Sequence, residues 1–293
     1  MSTPSTSLQV RHATIEVAGV SVFYREAGPA DAPTVLLLHG FGASSYMFRD
    51  LIPQLAALYH VLAPDLPGFG QTSVLPGQPF AWTFEHLAAV IDAFTLAKGV
   101  ERYAMYVFDY GAPVGWRLAV KHPHKITAIV SQNGNGYEEG LSAGWDDMRT
   151  AWAAPTAANR AALRRFNTLE MTRWQYTEGV PDVSLIAPEP WQLAYAAIER
   201  IGVDVQMDLL LDYGSNIAQY DQLHAYFRQY QPPTLAIWGK HDPFFLPAGA
   251  AAFKRDNPQA DVHFLDTGHF AIETHGQEIA DRMLAFLGRA IPM

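Results

Sequence analysis

At 293 residues the chain is long enough for one large α/β domain, or for one domain that carries an insertion. Hydrophobic residues make up 49% of the sequence and charged residues 17%, a balance that excludes an intrinsically disordered chain. The net charge of −9 and the lack of a basic run argue against nucleic acid as a partner, and the absence of cysteine excludes disulfides and thiolate metal sites.

The N-terminal residues 1–9 are polar and rich in serine and threonine, and they lack the basic and apolar regions of a signal peptide. We therefore expect an unstructured tail. No apolar run approaches the ~18–20 residues that a membrane-spanning helix needs. The sequence thus predicts a cytoplasmic protein without a membrane partner, and it leaves a homodimer open.

Short apolar runs alternate with helical patterns in both halves of the chain, which predicts a mostly parallel sheet with helices on both faces. The predicted strands are 13–17, 20–24, 34–39, 61–63, 103–108, 126–131, 234–238 and 262–265. The predicted core helices are a segment from Ser44 to Leu58 that Pro53 kinks or divides, and the segments 83–98, 113–121 and 277–289. In the second helix, Thr83 is the expected N-terminal cap.

Between residues 134 and 231 the sequence shows no buried strand, and stretches such as 159–169 and 191–201 favour helices. We therefore predict an eight-stranded core formed by residues 1–133 and 232–293. A helical cap, residues 134–231, is inserted after the sixth strand. Such an insertion is expected to cover the carboxyl edge of the sheet, where α/β sheets place their ligands.

A carboxylate follows the fifth predicted strand, where the apolar run 103–108 meets Asp109, Tyr110 and Gly111. A sharp turn from strand to helix often carries a catalytic nucleophile in the pattern G-x-S-x-G. Here Asp109 occupies the position of the serine. A carboxylate nucleophile attacks an alkyl carbon and forms an ester, whereas a serine attacks an acyl carbon.

Two further polar residues follow later predicted strands, Asp242 in Trp-Gly-Lys-His-Asp and His269 in Gly-His-Phe. Strand ends of a parallel sheet converge on one edge, so the order Asp109, Asp242, His269 predicts a nucleophile, an acid and a histidine that meet there. Each residue alone also has a structural interpretation: a helix cap for Asp109, a turn before proline for Asp242, and a loop position for His269.

The segment His39-Gly-Phe41-Gly42 follows a predicted buried strand. Its glycines allow a tight turn that aims backbone N–H groups at a developing negative charge, so the N–H groups of Phe41 and Tyr110 are candidate oxyanion donors. A second glycine pattern, 68–72, lacks the lysine of a P-loop and the third glycine of a dinucleotide fingerprint. We therefore predict neither a cofactor nor a metal.

These motifs, together with Asp-Leu-Pro-Gly-Phe-Gly at 65–70, resemble those of the α/β-hydrolase superfamily, in the branch of epoxide hydrolases and haloalkane dehalogenases. The resemblance implies a covalent ester on Asp109 that His269, oriented by Asp242, hydrolyses.

Haloalkane dehalogenases usually have tryptophan after the nucleophile, and many have asparagine after His-Gly. This chain has Tyr110 and Phe41 there, which weakens the resemblance to a dehalogenase. Epoxide hydrolases commonly have proline two places after the glycine of His-Gly and tryptophan after the nucleophile, and Gly42 and Tyr110 depart from both habits. Of the two activities, the epoxide hydrolase is the one we expect.

The epoxide hydrolase interpretation also needs acids in the cap, and the resemblance suggests Tyr213 and Tyr176 as the two tyrosines that protonate the opening oxygen. His39, Trp174 and Phe270 are the predicted pocket residues. The aromatic residues of the cap predict a small apolar or aromatic substrate. Two alternatives remain: a haloalkane dehalogenase with the same triad, in which Trp174 binds halide, and a non-catalytic small-ligand receptor of the same fold.

Overall fold

The computed structural model describes residues 9–291, so the tail predicted for residues 1–9 lies outside the described residues except for Gln9. One sheet forms the centre of the described chain. Its strands are β1 Arg11–Val17, β2 Val20–Ala27, β3 Thr34–Leu38, β4 His60–Pro64, β5 Ser73–Val74, β6 Tyr103–Phe108, β7 Ile126–Gln132, β8 Thr234–Gly239 and β9 Asp261–Leu265. Eight of them form one path in the order β1-β2-β4-β3-β6-β7-β8-β9.

The sheet is parallel from β4 through β9, and β1 and β2 add an antiparallel edge. The predicted mostly parallel eight-stranded sheet is therefore confirmed, with the two-residue β5, which pairs with β2, as an addition. Along β3, Leu36 and Leu38 join one apolar core while Val35 and Leu37 join the other. This alternation explains the uninterrupted apolar run, because the strand is buried on both faces.

Helices cover both faces of the sheet and fill the segment between β7 and β8. They are α1 Leu51–Leu55, α2 Phe84–Ala97, α3 Gly111–Lys121, α4 Asp146–Ala153, α5 Ala157–Ala162, α6 Leu169–Thr177, α7 Glu189–Ile201, α8 Val203–Asp212, α9 Gly214–Ile217, α10 Tyr220–Tyr230, α11 Pro247–Asp256 and α12 Ala271–Ala290. Helices α4 to α10 form the helical cap region. No helix within the described range has both the length and the apolar character that crossing a bilayer requires.

Two predicted helices differ from the structure at their breaks. The segment from Ser44 to Leu58 divides before Leu51 into a 3₁₀ turn, Ser45–Phe48, and α1, so the division is not at Pro53. Pro53 lies in the first turn of α1, where a backbone N–H has no helical acceptor and proline is tolerated. The cap segment 159–169 also divides, because the Thr168 hydroxyl accepts from Met171 N and starts α6.

Candidate active site

Asp109 lies at the sharp turn between β6 and α3, with a positive φ of 47°. A left-handed backbone is unfavourable for most side chains, and aspartate is one of the residues that tolerate it. Gly111 begins α3 directly against β3, and a Cβ there would collide with the carbonyl oxygen of Leu38. Close approach of helix and strand therefore fixes the turn, which holds the Asp109 side chain at the carboxyl edge of the sheet.

One oxygen of the Asp109 carboxylate is held by two backbone donors. Its Oδ1 accepts from Phe41 N and from Tyr110 N, each at 2.6 Å. Gly40 makes this approach feasible, because a Cβ at that position would collide with the Asp109 carboxylate. The two candidate oxyanion donors therefore converge on Oδ1 and leave Oδ2 available for other chemistry.

The other two residues of the predicted triad lie beside Asp109. His269 Nε2 lies 3.7 Å from Asp109 Oδ2, and His269 Nδ1 lies 2.7 Å from Asp242 Oδ2. The second oxygen of Asp242 accepts from the backbone N–H groups of Phe244 and Phe245 at 2.7 and 3.0 Å. Asp242 is thereby fixed as a hydrogen-bond acceptor, and it orients the imidazole so that Nε2 faces Asp109.

Asn133, which directly follows β7, gives Asp242 a further fixed donor. Its Nδ2 donates to Asp242 Oδ2 at 2.7 Å, and its Oδ1 accepts from Gly239 N at 2.9 Å. Asn133 also has a positive φ, of 47°. Since both ends of the amide are paired, Asn133 fixes Asp242 Oδ2, the same oxygen that His269 Nδ1 contacts.

Burial and charge shift the pKa values of the facing pair. Burial raises the pKa of Asp109 to about 6, although attraction to His269 and the N–H bonds of Phe41 and Tyr110 partly offset this effect. For His269, burial alone would lower the pKa, but the Asp242 carboxylate, its hydrogen bond and Asp109 outweigh burial and leave the pKa raised. Burial thus disfavours the ionised form of Asp109, while the two carboxylates favour the protonated form of His269.

A cavity between the cap and the core opens onto Asp109. Besides Asp109, its polar lining residues are Tyr110 and Gln175, while its remaining lining residues are Phe41, Trp145, Met148, Phe166, Leu210 and Phe244. The Trp145 indole N–H is already used, because it donates to the Phe244 carbonyl at 3.1 Å. The cavity thus suits an apolar or aromatic molecule with few polar atoms.

The Tyr176 hydroxyl, predicted to face the nucleophile, is paired elsewhere. It donates to the carbonyl of Gly42 at 2.8 Å, and the ring stacks on Phe270 with centroids 3.6 Å apart. Tyr176 therefore connects the cap to two functional segments of the core, the oxyanion loop and the residue that follows His269. In this arrangement its proton is not directed at Asp109.

Tyr213 lies at the end of α8 and packs against the cavity wall. Its ring centroid lies 5.6 Å from that of Tyr110 and 4.3 Å from that of Trp145. Its pKa is well above the ordinary value, because burial disfavours the phenolate and because Tyr220 and Asp109 are close. The hydroxyl is therefore protonated at neutral pH and lies within electrostatic range of Asp109.

The three predicted pocket residues lie behind the cavity wall. His39 is fully buried, its Nε2 accepts from Leu66 N at 2.9 Å, and its Nδ1 therefore donates to the Gly40 carbonyl at 3.0 Å. Trp174 packs against the lining residue Phe244, at 5.7 Å between centroids. Phe270 lies under Tyr176. None of the three is among the residues that border the cavity.

Gln175 is a site residue that the sequence analysis missed. It belongs to α6, whose buried face carries Thr172, Gln175 and Tyr176 at the spacing of one helix turn. A polar side chain on the inward face of a cap helix was the signal that could have identified it. Among the described residues, no cluster of three or more His, Asp and Glu side chains is suited to holding a metal ion.

Comparison with known proteins identifies relatives along nearly the whole chain. A sequence model of the alpha/beta hydrolase fold matches residues 33–276. An uncharacterized hydrolase of Saccharomyces cerevisiae is 43% identical over 272 residues, 91% of this chain and 93% of that protein. A haloalkane dehalogenase of Mycobacterium marinum is 29% identical over 296 residues, 97% of this chain and 94% of that protein. The crystal structure of an epoxide hydrolase from Vigna radiata, 24% identical with a TM-score of 0.74, covers 97% of this chain and 100% of that chain and shares the fold.

Proposed function

The chain belongs to the α/β-hydrolase family, and from that premise we propose that it hydrolyses epoxides to vicinal diols through an ester on Asp109. The observation that carries the proposal is that the two oxygens of the Asp109 carboxylate have different environments. Oδ1 is held by two backbone N–H groups, while Oδ2 lies 3.7 Å from His269 Nε2. A carboxylate held in this way favours attack by Oδ2 on an alkyl carbon.

In the first step Asp109 Oδ2 attacks one epoxide carbon, and the bond from that carbon to the ring oxygen breaks. The ring oxygen takes a proton from the Tyr213 hydroxyl, which gives a hydroxyalkyl ester. Tyr213 is placed for this task because its ring packs against Trp145 of the cavity wall and against Tyr110, the residue that follows the nucleophile.

In the second step His269 Nε2 takes a proton from water, and the hydroxide attacks the ester carbonyl. The negative charge develops on Oδ1, where the N–H groups of Phe41 and Tyr110 already converge. When the intermediate collapses, the ester bond breaks and the diol leaves with the proton that His269 held. The hydroxyl group that water added to the Asp109 carboxyl carbon then gives its proton to the Tyr213 phenolate. The Asp109 carboxylate is restored, with one oxygen from water.

A haloalkane dehalogenase is the second candidate, since a relative with that name aligns with 97% of this chain. A leaving halide needs N–H donors opposite the nucleophile. The lining side chains of Phe41 and Tyr110 carry no N–H group, and the indole of Trp145 already donates to a carbonyl, which leaves the Gln175 amide as a single free N–H group in the lining. The lining thus lacks a pair of N–H donors for a halide, which favours the epoxide.

The test is turnover of styrene oxide compared with release of bromide from 1-bromobutane. We expect diol from styrene oxide, and we expect Tyr213→Phe to slow diol formation by about 10²-fold, the size of a general-acid contribution. Bromide release without diol would contradict the epoxide assignment and favour a dehalogenase. No turnover and no adduct across a panel of both substrate classes would favour a receptor.

The pH dependence of the two steps is expected to differ. Ester formation needs ionised Asp109, so its rate rises with pH through the pKa of about 6. Ester hydrolysis needs neutral His269. Asp109 carries no charge in the ester, so the Asp242 carboxylate is the neighbour that still raises the His269 pKa, and hydrolysis accelerates as pH rises through that separate pKa. Rapid-quench measurements of each step between pH 5 and 9 give the two midpoints. A midpoint near 4 for ester formation would contradict the buried state of Asp109.

A further inference from the structure

Gln175 presents an unpaired carboxamide to the same cavity as Asp109. The residue is 4% exposed, borders the cavity, and forms no hydrogen bond with another residue of the described chain. Its Nε2 and Oε1 keep some accessible surface, since neither is among the fully buried polar atoms without a partner. A substrate that fills the cavity would separate this amide from water, and an amide without a partner is then costly. The side chain therefore indicates a polar contact with bound substrate.

Two neighbouring residues of helix α6, Gln175 and Tyr176, point in different directions. Successive side chains of a helix point about 100° apart. Tyr176 points to the oxyanion loop and donates to the Gly42 carbonyl, while Gln175 borders the cavity. Gln175 is therefore the residue of α6 that can contact a bound substrate, because the Tyr176 hydroxyl is already bonded to the core.

We propose that the Gln175 carboxamide donates a hydrogen bond to the epoxide oxygen as the ring opens. The inference rests on the proposed function of the site and names the second donor that the reaction uses. Apart from Asp109, Tyr110 and Gln175, the cavity wall is apolar or aromatic. The Tyr110 hydroxyl is also unpaired among the described residues, but it is fully buried, whereas the Gln175 amide keeps accessible surface. Gln175 is thus the lining side chain whose free donor faces the cavity.

With an amide donor, the two polar residues of the cap have different roles in the reaction. A carboxamide cannot release its proton at neutral pH, so Gln175 stabilises the developing alkoxide while Tyr213 supplies the proton. In a cavity with little water, a fixed N–H dipole near a developing charge is worth more than it is in water. The substrate this implies has its epoxide oxygen at the cap side and an apolar or aryl group against Phe166 and Leu210.

The test measures ester formation alone, in a His269→Gln background that blocks hydrolysis of the ester. Enzyme is mixed with styrene oxide, quenched at set times, and analysed by intact mass. Adding Gln175→Met is expected to lower the rate at saturating epoxide by about 10- to 100-fold, since the donor is lost at nearly constant side-chain volume. Gln175→Leu serves as a second apolar variant if the methionine variant does not fold.

A matched control is Gln206→Met, in the neighbouring helix α8. Gln206 is also buried in the cap, and its Nε2 donates to the Gly68 carbonyl at 2.6 Å, away from the cavity. We expect this variant to lower Tm but to change the saturated rate by less than about threefold. A packing defect at Gln175 would lower Tm and raise the half-saturating epoxide concentration, while the saturated rate would stay near its starting value.

The outcomes separate the two proposals. If His269→Gln alone forms no adduct with any epoxide tested, the proposed function fails. If it forms the adduct, and the Gln175→Met double variant forms it at the same saturated rate, the donor role of Gln175 is overturned while the proposed function stands. A slower saturated rate with an unchanged half-saturating concentration supports the donor role.

Discussion

Replacing Asp109 with asparagine is expected to lower epoxide turnover by at least about 10⁴-fold, because the nucleophile is removed and the remaining groups cannot form the ester. A carboxamide is a poor nucleophile toward an alkyl carbon. Diol formation from styrene oxide, followed by chromatography under saturating substrate, measures the loss. Residual turnover above about 1% of wild type would mean that water attacks the epoxide directly and that Asp109 acts as a base.

Asparagine is the appropriate substitution because the backbone of Asp109 has a φ of 47°. Asparagine tolerates that left-handed conformation, whereas alanine would be strained there by roughly 1 kcal/mol. The amide oxygen can also keep the acceptor role of Oδ1 toward Phe41 N and Tyr110 N. Since burial already disfavours the carboxylate, we expect the Tm of the variant to equal or exceed that of wild type.

A binding control separates loss of chemistry from loss of the site. The cavity wall contains Trp145, so a diol product that enters it should change tryptophan fluorescence. We expect Asp109→Asn to bind the diol within about threefold of the wild-type dissociation constant. Loss of both binding and turnover would point to a collapsed cavity, and the catalytic conclusion would then not follow.

The core of the fold was predictable because its signals are local. The apolar run of β3 requires a strand buried on both faces, and Thr83 caps α2 as expected, accepting from His86 N at 3.2 Å. The break before α1 was not predictable from Pro53, since proline is neutral in the first turn of a helix. Phe48 and Leu51 nevertheless pack in the same core, as their spacing on one face of the predicted helix indicates.

The candidate site also has a part that the sequence predicted and a part that it did not. Asp109, Asp242 and His269 meet because each follows a parallel strand, a relation that the sequence pattern contains. The cap residues could not be assigned with equal success, because a rotation of one residue along α6 exchanges Tyr176 for Gln175 at the cavity. That rotation is fixed by contacts between Tyr176 and the distant Gly42 and Phe270, which no local pattern encodes.

Replacing His269 with glutamine is expected to stop the reaction halfway. Ester formation needs Asp109 and the cap donors, so one equivalent of epoxide should still react, while hydrolysis loses its base and slows by about 10³- to 10⁴-fold. Glutamine keeps a polar group of similar length next to Asp242. The measurement is intact mass after incubation with styrene oxide, followed by peptide mapping to the segment that contains Asp109.

The mass of the adduct also identifies the leaving group. Opening of an epoxide by Asp109 loses no atoms, so the protein gains the full mass of the epoxide, whereas a bromoalkane adds its alkyl group and loses bromide. His263→Gln, in the edge strand β9, is the matched control and should retain turnover without accumulating ester. An adduct on another residue, or full turnover by His269→Gln, would contradict the assignment of His269 as the base. The accumulation of an ester on Asp109 would support both steps of the mechanism, since it requires an active nucleophile and a missing base in the same molecule.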